Sequence, residues 1–428
     1  MGNRNEAVVE ARRERWSPMP RPDWVQKINE EGKYLDIQGV VPLDEKSLLE
    51  TAQHNTGLSN FGDDDWYEPF QVFIKSLEEE ADLNLMGRIM TRSDLLIYLE
   101  ARLQVEEQYR LHPEIADEVI QKPLLIMGQG RTGTSALQNL LTADPNNGTL
   151  LTWEALFPAP PPEKATYNTD PRIEKAHQLI TQWYRVTPEL ESMHEFGGAI
   201  PTEGIHLQCS SFQSPVWMNF MGQVPSFSAY MRGRSLLPAL EWEKRVLRLL
   251  QWKNPRKNWV MKTPVYIYMM PDVLKAYPDA CFVWTHRDPI KALASAINMV
   301  GTLFWQRSDH PFKSGVLEAS VDENVVAASL NQAIDWIDQG IVPKEQLCNI
   351  HYQDFVNNPI EVVRKIYSYF DIPLTSEGEA AMLEYSIRNA RENRPSHNYL
   401  DDESSAWAAN ARKAYERYQS YFSVPNEI

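Results

Sequence analysis

Apolar positions between Glu68 and His112 return every three or four residues: Phe70, Phe73, Ile74 and Leu77, then Leu95, Leu96, Tyr98, Leu99 and Leu103. A stripe at that spacing marks amphipathic helix, so two or three helices are expected there, ending before Pro113. The pattern changes at Pro123. Leu124-Leu125-Ile126-Met127 is an unbroken apolar run that leads into Gly128-Gln129-Gly130-Arg131-Thr132-Gly133. It reads as a short buried strand turning through a glycine loop into a helix, which continues over Leu137–Leu141 and stops at Asp144-Pro145. Helical spacing returns over Arg172–Tyr184 and Leu236–Trp252. Trp259–Lys262 and Cys281–Thr285 are further short strands, and Pro289 sits in the first turn of the next helix, where its missing N–H does no harm. Strands alternating with helices predict a parallel sheet, with ligands at the carboxyl ends of its strands.

Gly204 to Met231 contains no Asp, Glu, Lys or Arg. Pro215 and Pro225 argue against a membrane span, which leaves buried helix and loop, or the wall of an apolar pocket. The formal net charge of −16 excludes a general nucleic-acid binder, so an anionic ligand must meet local positive charge. Three widely spaced cysteines give neither a disulfide framework nor zinc-ligand spacing. With a polar start from Met1 to Arg15, they fit a reducing, cytoplasmic setting.

The loop at 128–135 can be weighed three ways. As G-x-G-x-x-G (Gly128, Gly130, Gly133) it suits a dinucleotide, with Glu154 as the acid expected on the ribose, and this keeps an NAD(P)-dependent oxidoreductase open. Glu154 follows no convincing second strand. As G-x-x-x-x-G-K-[ST] it has Thr134 where a lysine must face the β- and γ-phosphates of a nucleotide triphosphate. Read as Arg131-Thr132-Gly133-Thr134-Ser135, it carries its cation inside the loop, and hydroxyls and amides open the helix. That arrangement binds phosphate or sulfate. A second strand end, His286-Arg287-Asp288-Pro289, offers another cation, and Ser295 follows Arg287 by eight positions. Two strand-end anion sites suggest a ligand with two separate phosphate groups.

With these residues the chain resembles the sulfotransferases that use 3′-phosphoadenosine 5′-phosphosulfate, in their bacterial-type branch with arginine in the loop. Thr56-Gly57-Leu58, Phe61-Gly62-Asp63, Trp153-Glu154, Lys262-Thr263-Pro264 and Thr285 to Pro289 look like that branch's landmarks. The resemblance implies an α/β fold: a P-loop-like parallel sheet flanked by helices, with an N-terminal helical region. The expected division is 1–120 for the extension and helices and 121–428 for the sulfotransferase-like domain. It further implies that Gly130, Arg131, Thr132, Gly133, Thr134 and Ser135 hold the 5′-phosphosulfate. Arg287 and Ser295 would read the 3′-phosphate, and Arg394 and Tyr399 belong to a segment that closes over the nucleotide. Arg131 and Lys262 would act on the transferring group, and no metal is required.

Transfer to a hydroxyl needs a base, and related enzymes often carry a histidine shortly after the lysine. Tyr266 stands there instead, and a tyrosine with pKa near 10 is a poor base. The remaining candidates are His194, Glu203 and His206, in the stretch that leads into the uncharged region. Glu203 ranks first, as a carboxylate whose pKa apolar surroundings would raise. Phe212, Trp217, Phe220, Phe227 and Tyr230 suit an apolar alcohol, phenol or lipid-like acceptor. The departure at Tyr266 keeps a non-catalytic nucleotide-binding or scaffold protein open as well.

Overall fold

The computed structural model describes residues 18–311, 322–389 and 406–427. Among them the central sheet has five strands, β1 (Leu124–Gly128), β2 (Asn147–Thr149), β3 (Asn258–Lys262), β4 (Cys281–His286) and β5 (Leu347–His351). Their order is β2-β3-β1-β4-β5 and every pairing is parallel. All five residues of β1 and all six of β4 are buried, which is what a sheet covered on both faces demands.

Alternate side chains divide the two faces. Leu125, Met127, Trp259, Met261, Phe282 and Trp284 pack on one side, with the helix Leu237–Trp252 and with Tyr415, Tyr418 and Phe422 of the helix Ala406–Phe422. Leu124, Ile126, Val260, Cys281, Val283 and Ile350 pack on the other, with Leu137 and Leu140 and the helix Pro359–Tyr369. One continuous apolar run in the sequence thus feeds two separate cores.

A third core lies away from the sheet. The helical pattern before Pro113 becomes the helices Tyr67–Glu80 and Leu85–Leu111. Their apolar stripes close on residues from Ile180 to Met231. The uncharged stretch forms four short helical segments inside this core. Phe212 packs 4.9 Å from Phe70, and Phe227 packs 5.0 Å from Phe73, ring centre to ring centre. These two side chains have no exposed surface, so they are core and not a pocket wall. Phe220 and Tyr230 are only partly buried.

Candidate active site

The sheet register brings the loops together. Gly128 at the end of β1 stands opposite Thr285 of β4, and Ile126 stands opposite Lys262 of β3. The glycine loop, Lys262-Thr263 and His286-Arg287 therefore leave the sheet side by side, where open parallel sheets bind ligands. Gly128 has φ 147°, and a Cβ there would lie 2.6 Å from the carbonyl oxygen of Thr285, so only glycine fits. Gly133 has φ 89° and starts the helix Thr134–Leu141, whose first turn has no side-chain cap. Its amide N–H groups and positive dipole end are left for an anion.

Arg131 also adopts a left-handed backbone, with φ 71°. That conformation costs an L-residue about 1 kcal/mol. It sends the guanidinium across to the segment before His194, where Nη1 donates to the carbonyl of Met193 at 3.0 Å. Thr132 is differently used. Its hydroxyl donates to the carbonyl of Gln129 at 2.7 Å and meets Thr285 Oγ1 at 2.6 Å, so the side chain pins the loop. Gly130 and Ser135 are exposed and Thr134 is buried.

Arg287 Nη1 donates to the carbonyl of Arg131 at 3.1 Å, and its guanidinium lies 4.1 Å over the ring of Tyr352. Arg287 and Arg131, 156 positions apart, are thus neighbours. The other edge of the guanidinium pairs with Glu427 at 2.9 Å. The rest of His286-Arg287-Asp288 is architectural. His286 Nε2 donates to Asn349 Oδ1, and Nδ1 accepts from the Tyr418 hydroxyl, both at 2.9 Å. Burial holds the His286 pKa down at about 3, so the ring is neutral. Asp288 caps the helix Pro289–Trp305 and pairs with Arg412 at 2.6 Å. Ser295 lies in that helix, but its side chain is outside the described set, and Arg394 and Tyr399 lie outside the described residues.

On the other side of Arg131, Lys262 Nζ meets Glu203 Oε1 at 2.5 Å, with the lysine side chain 3% exposed. Backbone bonds fix the carboxylate from both sides. Thr202 N donates to the carbonyl of Leu150 at 2.8 Å, and Gly204 N donates to that of Lys262 at 3.1 Å. Gln138, one turn into the helix after the loop, donates to the carbonyl of Thr202 at 3.1 Å. The helix after the glycine loop is therefore tied directly to the segment that carries Glu203.

The electrostatics correct one expectation. Burial pushes the Glu203 carboxyl up, but the charge and hydrogen bond of Lys262 outweigh it, and the net shift is downward. Glu203 is an ionised carboxylate held by a lysine, not a carboxyl raised by apolar neighbours. His194 is pushed down to about 4 by burial and by the charges of Lys262 and Arg131. Its Nδ1 lies 2.9 Å from the carbonyl of Glu195, which fits an Nδ1–H donor and leaves the Nε2 lone pair open. His206 is lowered to about 4 chiefly by burial. Its Nδ1 meets Thr202 Oγ1 at 2.5 Å, and its ring lies 4.0 Å from Trp217.

Tyr266 is fully buried and donates to Oε1 of the buried Glu243 at 2.8 Å, joined there by Tyr277 at 3.0 Å. Its hydroxyl sits behind Gly204, where a Cβ would come within 2.6 Å, so it supports that turn and offers no proton acceptor. Glu154 is fully buried and paired with Arg256. It accepts from Leu151 N at 3.0 Å within its own helix, so it is committed and closed to a ribose. Sequence reasoning missed Gln138, Tyr352 and Glu427.

Known proteins are similar to this chain in sequence and in fold. Two curated relatives are named omega-hydroxy-beta-dihydromenaquinone-9 sulfotransferase Stf3, from Mycobacterium bovis and Mycobacterium tuberculosis. Each is 22% identical over 276 residues, which is 60% of this chain and 65% of the relative, so the match spans less than two thirds of their length. The crystal structure of sulfotransferase STF9 from Mycobacterium avium superposes with a TM-score of 0.75 at 25% identity, over 90% of this chain and 98% of that one. That of sulfotransferase STF1 from Mycobacterium tuberculosis H37Rv gives 0.72 at 25% identity, over 87% and 98%. The family model described as "Sulfotransferase family" matches residues 123–376, a span that opens at β1 and takes in the loop, Lys262, Arg287 and β5. Matched over more than half of its length and folded as an open parallel sheet, this chain belongs to the sulfotransferase family.

Proposed function

We propose that the protein transfers the sulfuryl group of 3′-phosphoadenosine 5′-phosphosulfate to a hydroxyl of an apolar, lipid-like acceptor. The observation that carries this reading is the contact between the two anion seats. Arg287 donates to the carbonyl of Arg131, so one guanidinium can take a 3′-phosphate while the loop takes the 5′-phosphosulfate. The uncapped amides of Gly133, Thr134 and Ser135 and the charge of Arg131 are the donors for the phosphosulfate. Thr132 contributes through its backbone, since its hydroxyl is engaged within the loop.

In the transfer, the acceptor oxygen forms a bond to sulfur and the bond from sulfur to the 5′-phosphate oxygen breaks. The hydroxyl proton passes to Glu203, and adenosine 3′,5′-bisphosphate leaves. Charge grows on the sulfonyl and leaving oxygens, where Arg131 and Lys262 supply fixed positive charge. Among the candidates Glu203 carries the full negative charge and the firmest backbone support. His194 is the second candidate: its low pKa keeps the ring neutral, and it is a weak base as the lowered Glu203 carboxylate is, so the firmer backbone support decides for Glu203. The two Stf3 relatives are named for a menaquinone-derived acceptor, which supports a lipid-like acceptor here. No helix among the described residues is long and apolar enough to cross a membrane.

Thermal denaturation of the purified chain with three ligands tests the reading. Adenosine 3′,5′-bisphosphate should raise Tm, and ATP and NADPH should not, because a ligand stabilises only the state that binds it. A shift with NADPH or ATP alone would overturn it.

A further inference from the structure

A cleft of ≈250 Å³ opens at the ends of β4 and β5, and Arg287, Tyr352, Ser423, Pro425 and Glu427 are among the residues that line it. The Arg287 edge turned into it already holds an anion. Nε lies 3.0 and 3.1 Å from the two carboxylate oxygens of Glu427, and Nη2 lies 2.9 Å from Oε2. Both side chains are 14% exposed, so this is a screened, forked pair and not a loose surface contact. Glu427 is anchored independently, since its N–H donates to Asp288 Oδ2 at 2.7 Å. On the adjacent edge, Nη1 donates to the carbonyl of Arg131.

We propose that Glu427 is a resident anion on Arg287 that a nucleotide's 3′-phosphate must displace, which makes it a determinant of nucleotide selectivity. This rests on the reading of Arg287 as the 3′-phosphate seat. The Nε–Nη2 edge, with its donors on the carboxylate, cannot fork a phosphate at the same time. A nucleotide without a 3′-phosphate leaves the pair intact and meets no such competition. Glu427 therefore weakens adenosine 3′,5′-bisphosphate relative to adenosine 5′-monophosphate. It also favours departure of the bisphosphate after transfer, by offering Arg287 a replacement partner.

Calorimetric titration of the full chain with these two nucleotides tests the inference, with folding of each variant checked by its Tm. Glu427→Gln should bind the bisphosphate about tenfold more tightly, the scale of one charge-assisted contact, with the monophosphate unchanged. Glu427→Asp, which draws the carboxylate back, should shift the same way by less, and it serves if the glutamine variant does not fold. In an Arg287→Ala background the Glu427 substitutions should have no effect. If Arg287→Ala leaves bisphosphate affinity intact, the 3′-phosphate seat is wrong and this inference falls with it. If Arg287→Ala weakens the bisphosphate while neither Glu427 variant tightens it, or if any gain persists without Arg287, only the role of Glu427 is overturned.

Discussion

The two halves of the candidate site are built in opposite ways. The donor half is local: Gly128 to Ser135 supply strand end, loop, cation and helix start in one short run, and the register between β1 and β4 sets Arg287 beside it. The acceptor half is assembled from afar. Glu203 is fixed by Leu150, Gln138 and Lys262, and the uncharged stretch beyond it is packed by helices from the first quarter of the chain. On the proposed reading, a loop that binds a charge common to every reaction cycle can be a fixed cassette, and a surface that must fit one acceptor is shaped by whatever packs behind it.

The largest effect is expected at Glu203. Glu203→Gln should lower turnover by about 10²–10⁴, the usual worth of a general base, and leave the affinity for adenosine 3′,5′-bisphosphate unchanged. Because Lys262 holds the Glu203 carboxyl below its ordinary value, the wild-type rate should persist as pH falls past about 4.3. His194→Ala should keep that acidic limb. A pH–rate profile in which only His194→Ala loses the limb would transfer the role to histidine, and full activity in both variants would remove chemistry from this half.

Next is Arg131. Arg131→Ala should cost about 10²–10³ in kcat with little change in bisphosphate affinity, since its charge serves the transferring group more than the bound product. An equal loss in both quantities would make Arg131 an ordinary binding residue and blur the division between the halves.

The smallest effect concerns stability. His286 belongs to the donor-side motif yet is buried in the core, its pKa lowered from 6.5 to about 3. In the unfolded chain this ring takes up a proton near pH 6.5, whereas the folded one does so only near pH 3. Acidification between those values therefore favours unfolding. His286→Gln should reduce the pH slope of unfolding free energy in that window by about 1.4 kcal/mol per pH unit, measured by urea denaturation at pH 6 and pH 4. An unchanged slope would mean that the ring takes up its proton in the folded state too.

The same contrast explains what the sequence disclosed. Short buried strands, the glycine loop, Pro289 at its helix start and the helices before Pro113 each rest on neighbours in the chain, and pattern alone predicts them. The gathering of the loops at the carboxyl ends of a parallel sheet follows from the alternation of strands and helices. The downward shift of Glu203 was not legible, because Lys262 lies 59 positions away and is brought near by the bond from Gly204 N to the Lys262 carbonyl. Nor was the burial of Phe212 and Phe227, since an uncharged aromatic run looks the same as pocket wall or as core. Gln138 and Glu427 matter through partners 64 and 140 positions distant, which no local pattern announces. Tyr352 begins the helix directly after β5, at the carboxyl end of a strand, where its position hints at a site but its stacking on Arg287 does not show.

The third core bears on how this chain can be divided or recombined. The span that matches the family begins at 123 and ends at 376, but neither cut leaves a closed surface. Cutting before 123 would strip Phe70, Phe73, Leu95 and Leu99 from their partners between Ile180 and Met231. Cutting after 376 would take Tyr415, Tyr418 and Phe422 off one face of the sheet. Exchange of acceptor preference between relatives would therefore have to carry the early helices along with residues 180–231 as one inherited block. A graft of the later segment alone would join two surfaces that had never been fitted to each other.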